Sequence, residues 1–268
     1  EWIEHYLLHG VDHIYLINDN SSDEYEQILK PYIEKHIITL FKSDVGKFNN
    51  RQQAMYDKFI MPKLKESQWT IICDLDEFWY SPKEINLKNI ICQYEDYDVI
   101  YGNWAMFNSN GNIDHPKSIV QSCIKRHKLG GEMFCLVNGQ FKLTPTSSRK
   151  YIINGNCKVN GLWVHDPVGQ FKSINLSYAG ESNDDYMLII NHYTTQSKEF
   201  WENVKMKRGD VNNHHPDDAR DWKYFEFLEV GNINDTKLAN QNLNLVRDET
   251  LTKVIGLNVQ VVVRCTIM

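Results

Sequence analysis

The order of helical and extended segments in the first eighty residues constrains the fold more than any other feature of the chain. Segments with apolar residues at helical spacing alternate with short apolar runs that are typical of buried strands. In chain order, beginning with a helix, they cover residues 1–10, 14–17, 24–34, 36–41, 49–65 and 69–73. Such alternation is typical of crossover units, in which helices join parallel strands. It predicts an α/β fold with a Rossmann-like, mostly parallel sheet flanked by helices.

The chain begins at Glu1, inside the first helical segment and without a strand before it. A complete nucleotide-binding half of such a sheet starts one strand earlier. We therefore expect the natural chain to extend upstream, and the sheet encoded here to lack its first strand. No linker, repeat or low-complexity tract divides residues 1–268, so one domain is the simplest organisation.

Composition excludes several classes of protein. The net charge of -6 and the pI of about 5.9 argue against a nucleic-acid-binding protein, which would carry a basic surface. No apolar run approaches the roughly 20 residues of a membrane span. The six cysteines are scattered singly, which argues against a zinc ribbon or a dense disulfide framework. The chain also lacks GxxxxGK[ST], GxGxxG and GxSxG, the signatures of P-loop, dinucleotide-binding and α/β-hydrolase folds.

Two aspartates follow directly after the predicted strand at residues 69–73. Period-2 geometry places Asp74 and Asp76 on the same side of the chain, where both can reach one ion. Ligands of parallel sheets bind at the carboxyl ends of the strands, and paired carboxylates suit Mg²⁺ or Mn²⁺ held jointly with phosphates. A solvated strand end with a capping aspartate is the alternative interpretation.

Other polar residues lie at ends of predicted elements. Asp19 follows the strand at 14–17, where it could hydrogen-bond a ribose or base, or simply cap a helix. His192 ends a late strand, where it could complete a metal shell or be an ordinary hydrogen-bonded histidine. Lys205, Lys207 and Arg208 end a helix at 198–208, either as a diphosphate clamp or as cations that favour a helix C-terminus.

Four stretches, read together, resemble a known family. EWIEHYLLHGVDHIYLINDNSSD, CDLDEFW, NWAMFNSNG and NHYTTQSKEFWENVKMKRGD follow one another within residues 1–210. Their order is similar to that of glycosyltransferase family 92 and its family-2-like relatives. The resemblance implies a GT-A fold in one domain, with a nucleotide-sugar-binding half at about 1–110 and an acceptor half at about 111–235. Residues 236–268 form a tail with poorly defined signals.

The resemblance also implies roles for individual residues. The implied metal ligands, for Mn²⁺ or Mg²⁺, are Asp74, Asp76 and His192. The implied donor-binding residues are Asp19, Arg51, Asp74, Asp76, Lys207 and Arg208. WVHDP stands where the family pattern has a His-Pro-His-like segment, which leaves the identity of the acceptor open.

We therefore expect an inverting, metal-dependent transferase that moves a sugar from a nucleoside-diphosphate donor, UDP-linked, to a hydroxyl of a glycan or glycoprotein. An inverting reaction needs one carboxylate as general base. Glu132 and Asp166 are alternative candidates, because each follows a predicted acceptor-side strand. Trp79, Trp104 and Trp163 are candidates for packing on sugar rings, although most tryptophans belong to the core.

The sequence is also compatible with two other classes of protein. A sugar-phosphate nucleotidyltransferase shares the fold type and an aspartate pair. A non-catalytic glycan-binding module, or a transferase fragment, would bind sugar without metal. Without a membrane anchor in the sequence, we expect a bacterial or viral-host cytoplasmic enzyme, or a Golgi-lumen enzyme if an anchor lies upstream.

Overall fold

A computed structural model of the chain describes residues 1–46, 50–129, 132–137, 140–145, 148–177, 185–208, 220–243 and 259–265. The strands are β1 (His13–Asn18), β2 (Ile38–Lys42), β3 (Trp69–Cys73), β4 (Glu77–Tyr80), β5 (Val99–Phe107), β6 (Lys125–Arg126), β7 (Glu132–Val137), β8 (Gln140–Pro145), β9 (Arg149–Asn154), β10 (Gly161–Leu162), β11 (Pro167–Val168), β12 (Ser173–Asn175), β13 (Ile189–Tyr193), β14 (Ile233–Asn234) and β15 (Val259–Cys265).

The α-helices are short. They are α1 (Trp2–Leu8), α2 (Tyr25–Glu34), α3 (Arg51–Met55), α4 (Leu87–Ile91), α5 (Ile119–Ser122), α6 (Lys198–Phe200), α7 (Met206–Arg208), α8 (Trp222–Leu228) and α9 (Lys237–Gln241). A π-turn at Tyr56–Ile60 and a 3₁₀ turn at Met61–Glu66 extend α3, and a π-turn at Trp201–Lys205 joins α6 to α7.

The main sheet is mixed and mostly antiparallel, so the prediction of a mostly parallel, Rossmann-like sheet is wrong. Its strand order is β14-β6-β5-β9-β3-β15-β1-β2, with β12 and β13 also paired to β5 and β4 paired to β13. Among the described strands, only β1 with β2, β5 with β12 and β5 with β13 pair in parallel. The chain is still an α/β protein, and β1-α2-β2 is a parallel crossover unit of the expected kind.

Two strands from distant parts of the chain explain the difference. β15 inserts antiparallel between β1 and β3, and β9 inserts antiparallel between β3 and β5. Local periodicity identifies an extended segment but carries no information about which distant strand pairs with it. The alternation in the first eighty residues therefore predicts most of the elements there, but not the neighbours of the strands.

The inserted strands leave the direction of the others unchanged. Because one antiparallel strand separates each pair, β1, β3 and β5 all run in the same direction. β13 runs parallel to β5, so it has this direction as well. The carboxyl ends of β1, β3, β5 and β13 consequently lie at one edge of the sheet. This edge carries the residues that follow each strand, including Asp19 and Asp74.

Both faces of the sheet are covered, as the strand sequences require. Alternate residues of β1 and β3 enter different clusters: Leu16 and Ile71 pack in the larger one, with α1, α2 and α4. Ile17 and Ile72 pack on the opposite face, against the α3 segment through Met55. This period-2 division follows from the pleat of a strand. Burial of each such side chain contributes roughly 1.5–3 kcal/mol.

Helix α1 holds the backbone of the aspartate turn through three side chains. The Trp2 indole N–H donates to the carbonyl oxygen of Glu77 at 2.9 Å. The Tyr6 hydroxyl donates to the same carbonyl at 3.1 Å and accepts from the Trp79 amide at 3.1 Å. His5 Nε2 lies 2.9 Å from the Trp79 carbonyl oxygen. The first helix is thus tied to the strand that follows the aspartates.

Two buried histidines, His5 on α1 and His9 at the C-cap of this helix, share one partner. The His5 and His9 ring centroids lie 4.1 Å apart, and both side chains are fully buried. The Asn242 side chain donates to His5 Nδ1 at 3.1 Å and accepts from His9 Nε2 at 3.2 Å. Burial, and then the neighbouring His9, lower the pKa of His5 well below its usual value. Burial also lowers the pKa of His9. Both rings are therefore neutral in the folded protein.

This cluster predicts acid sensitivity. In the unfolded chain both histidines bind protons below about pH 6.5, whereas the folded chain resists protonation. Their contribution to stability is therefore complete above that pH and is lost as the pH falls. We expect the free energy of unfolding, measured by urea denaturation, to fall from pH 7 to pH 5 through this pair, by at most about 2 kcal/mol for each histidine.

The variant His5→Gln should show a smaller difference between the two pH values. The control His36→Asn changes an exposed histidine outside the cluster and should keep the full difference. An equal pH dependence in His5→Gln and the unmodified chain would show that the cluster is not responsible.

Candidate active site

The turn between β3 and β4 presents the aspartates in a fixed conformation. β3 is buried along its whole length and ends at Cys73. The Glu77 amide donates to the Asp74 carbonyl at 3.1 Å, and the Asp74 amide donates to Glu77 Oε2 at 2.8 Å. The Trp2 indole also contacts the Asp74 carbonyl, at 3.2 Å. The aspartate side chains therefore project from a turn whose backbone is hydrogen-bonded on both sides.

Asp74 is neutralised from within the protein. Lys150 Nζ lies 2.9 Å from Asp74 Oδ2 and 3.5 Å from Glu77 Oε1, and the Lys150 side chain is fully buried. Gln52 Nε2 donates to the other Asp74 oxygen at 3.2 Å. Burial alone would raise the pKa of Asp74, but the Lys150 ammonium outweighs it and holds this pKa below its usual value. Burial raises the pKa of Glu77 well above its usual value.

Asp76 has different partners. Lys205 Nζ lies 2.5 Å from Asp76 Oδ2, and His192 Nε2 lies 3.5 Å from Asp76 Oδ1. Burial alone would raise the pKa of Asp76, but Lys205 and then His192 hold it well below its usual value. Asp76 is therefore ionised. The Tyr193 amide donates to the Asp76 carbonyl at 2.8 Å, which joins the turn to β13.

β13 positions His192 by pairing with two strands. His192 lies opposite Glu77 of β4 and Met106 of β5. Its Nε2 atom lies 3.1 Å from Thr194 Oγ1, while its Nδ1 atom is buried and has no hydrogen-bond partner among the described residues. The Trp104 ring packs against the imidazole with centroids 4.3 Å apart.

Asp19 and Arg51 form a second buried pair at the same edge. Two Arg51 nitrogens donate to the two Asp19 oxygens at 2.5 Å each. Arg51 also donates to the carbonyl oxygens of Gly46 and Val45, at 3.1 and 2.9 Å. The next residue, Gln52, contacts Asp74. The start of α3 therefore connects the end of β1 with the end of β3.

A group of polar and aromatic residues is connected to His192 through the Trp104 ring. Trp104 contacts His165 as well, with ring centroids 5.3 Å apart. Arg149 Nη2 lies 2.5 Å from Asp166 Oδ1, and its guanidinium stacks on the Tyr101 ring at 3.8 Å. Burial, and then the Asp166 charge, raise the pKa of Tyr101 to about 12. Asp166 is about half exposed and can meet a substrate.

A comparison with known protein families identifies the family that the sequence motifs resemble. The model of glycosyltransferase family 92 matches residues 1–231, which is most of the chain. The chain belongs to glycosyltransferase family 92. A comparison with curated proteins finds no match. Within the part of the chain that the structure describes, none of this glycosyltransferase's helices is long and apolar enough to cross a membrane.

A divalent metal fits the site only as an ion shared with substrate. Across the described residues, no three His, Cys, Asp or Glu side chains gather closely enough to hold a metal among them. Asp76 and His192 nonetheless provide an oxygen and a nitrogen donor 3.5 Å apart. Mg²⁺ is commonly held by one or two protein carboxylates, with phosphate oxygens and waters as the other ligands. The pair suits such an ion, while Asp74 is held by Lys150.

The structure places the other candidates from the sequence in different surroundings. Lys207 is exposed, and its Nζ atom donates to Asn203 Oδ1 at 2.9 Å. The side chain of Arg208 lies outside the described part of the structure. Glu132 begins β7, and its side chain is likewise outside the described part. Trp79 is fully buried in the core and cannot contact a sugar, whereas Trp104 is partly exposed.

Lys150 is the residue that sequence reasoning missed. It lies on β9, opposite Gly102 of β5, in the short stretch RKYIIN. A lysine followed directly by a strand-like apolar run is a weak signal for a buried cation, because surface strands carry lysine as well. Its partners Asp74 and Glu77 are more than seventy residues away in the chain. Only the pairing of β9 with β3 brings them together.

Removing the Lys150 charge should destabilise the protein. Lys150→Met leaves the partly exposed Asp74 and the fully buried Glu77 without a counter-ion, which costs about 3 kcal/mol of unfolding free energy. Urea denaturation at pH 7 measures this loss. The double variant Lys150→Met with Asp74→Asn should recover about 1 kcal/mol of it, because the two groups are coupled.

The matched control is Lys58→Met, which removes an exposed lysine that pairs with Asp44. It should leave the unfolding free energy nearly unchanged. A loss for Lys150→Met no larger than for Lys58→Met would mean that the buried charges need no such partner.

Proposed function

We propose that this family 92 glycosyltransferase moves a sugar from a UDP-linked donor to a glycan hydroxyl with inversion, with the help of Mn²⁺ or Mg²⁺. The observation that carries the proposal is the ionised Asp76 carboxylate beside His192 and Lys205, at the edge where four strands end. One anion among cationic and metal-ligating groups is the arrangement expected where a metal and a diphosphate bind together.

We divide donor binding between two largely buried carboxylates, Asp19 and Asp76, and their partners. Asp19 and Arg51 follow β1 and begin α3, and we assign them to the nucleoside, whose ribose and base offer donors and acceptors. Asp76 and His192 would hold the metal ion, and Asp74 supports the turn from the Lys150 side. Lys205 reaches Asp76 and is the best-placed cation for the diphosphate. Lys207 follows in the same helical segment, where its exposed ammonium donates to Asn203.

The leaving group is the nucleoside diphosphate. A bound Mn²⁺ or Mg²⁺ would act as a Lewis acid that neutralises the negative charge developing on it. The Lys205 ammonium would add fixed positive charge at the same place, and the largely buried surroundings strengthen this effect. Trp104, which packs against His192, offers a partly exposed ring face for the transferred or accepting sugar.

We assign the general base to Asp166 rather than to Glu132. Asp166 lies beside His165, which packs on Trp104, so it is linked to the metal end of the site through two rings. Arg149 pairs with the Asp166 carboxylate at 2.5 Å and orients it. Asp166 would accept the acceptor's proton as the hydroxyl attacks the sugar carbon.

Calorimetry with UDP tests the donor site. The unmodified chain should bind UDP in the presence of Mn²⁺ and lose at least about ten-fold in affinity with EDTA. Asp76→Asn should show the same loss with Mn²⁺ present, because it removes the charge of the proposed metal ligand. Circular dichroism confirms that the variant is folded.

The control for this titration is Asp12→Asn, which removes an aspartate that pairs with Lys88 on the surface. Its UDP affinity should equal that of the unmodified chain. UDP binding that is unchanged by EDTA and by Asp76→Asn would contradict the metal site. Absence of UDP binding in every condition would contradict a UDP-linked donor.

The base assignment predicts a different pair of variants. Asp166→Asn should lower kcat by about a hundred-fold or more, while the affinity for UDP with Mn²⁺ stays unchanged. Release of UDP, with the donor and acceptor that substrate screening identifies, measures kcat. Glu132→Gln is the comparison. A large loss in Glu132→Gln together with a normal rate in Asp166→Asn would assign the base to Glu132 instead.

A further inference from the structure

Two buried lysines neutralise the two aspartates, but they are attached to the protein in different ways. Lys150 contacts two carboxylates and lies on β9, between two strands of the central sheet. Lys205 contacts Asp76 from the last position of a π-turn in the helical segment at 198–208. Such turns are frequent at functional sites and are less regular than the α-helix around them. Lys150 is part of the central sheet, whereas Lys205 lies on a helical segment outside it.

The electrostatics of the site depend on this difference. Lys205 and Asp76 together carry no net charge, and their side chains are only 5% and 13% exposed. A divalent cation that bound to Asp76 alone would bring positive charge next to the Lys205 ammonium in a weakly screened place, which is unfavourable. A divalent cation that arrives with a diphosphate brings its own negative charge. Lys205 can then exchange its carboxylate partner for a phosphate oxygen without loss of an ion pair.

We propose that Lys205 is an exchangeable counter-ion, which neutralises Asp76 in the free enzyme and moves to the donor diphosphate when metal and nucleotide bind together. This inference rests on the proposed donor site. It makes Lys205 a positioning residue that couples the two ligands. Metal alone binds weakly, nucleotide strengthens metal binding, and the coupling is reciprocal because it is an equilibrium property.

Electron paramagnetic resonance of free Mn²⁺ tests the proposal, because it measures Mn²⁺ binding without catalysis. The titrations use the full chain, with and without UDP. In Lys205→Met we expect the affinity for Mn²⁺ alone to rise about ten-fold, and the strengthening of Mn²⁺ binding by UDP to fall by a similar factor. A merely structural role for Lys205 would weaken Mn²⁺ binding instead. Lys205→Gln, which keeps a hydrogen-bond donor, repeats the test if Lys205→Met does not fold.

Two further variants serve as controls. Lys205→Arg keeps the positive charge and should keep weak binding of Mn²⁺ alone. Lys198→Met removes an exposed lysine at the start of the same helical segment and should behave as the unmodified chain. Unchanged or weaker binding of Mn²⁺ alone in folded Lys205→Met and Lys205→Gln overturns the exchange. If UDP fails to strengthen Mn²⁺ binding even in the unmodified chain, the proposed donor site fails and this inference fails with it.

Discussion

The contact of Lys150 with Asp74 and Glu77 is the interaction on which the rest of the site depends. Asp74 follows the buried strand β3, and Glu77 begins the buried strand β4. They need a positive partner, because unpaired buried charge is strongly destabilising. That partner is on β9, which is also the strand that separates β3 from β5. The insertion of β9 therefore both separates β3 from β5 and neutralises Asp74.

The aspartate turn is rigid because three parts of the chain hold its backbone. Helix α1 supplies the Trp2 and Tyr6 side chains, β13 supplies the Tyr193 amide, and Glu77 binds back to the Asp74 amide. These contacts explain physically why the N-terminal stretch, the aspartate stretch and the His192 stretch occur together in one family pattern. Each stretch satisfies hydrogen-bonding groups of another, so none of them can position the aspartates alone.

The sequence predicts the local part of this arrangement and not the long-range part. An apolar run followed by Asp74 and Asp76 is a local signal, and β3 has the predicted bounds. Asp19 and Asp74 lie at one edge, as they would in a parallel sheet, because the inserted antiparallel strands preserve the direction of β1, β3 and β5. The insertions themselves depend on pairing between residues far apart in the chain, which period-2 patterning does not encode.

The same limit applies to the cations of the helical segment at 198–208. Regular helical spacing cannot tell which of Lys205, Lys207 and Arg208 faces the aspartates, because the π-turn at Trp201–Lys205 adds a residue to one turn and changes the phase of the residues after it. In the structure Lys205 reaches Asp76, while Lys207 is exposed. This choice separates the roles of the two aspartates. Asp74 is compensated by a lysine of the central sheet, so Asp76, whose counter-ion lies on a helical segment outside the sheet, is the carboxylate that we assign to a cation from outside.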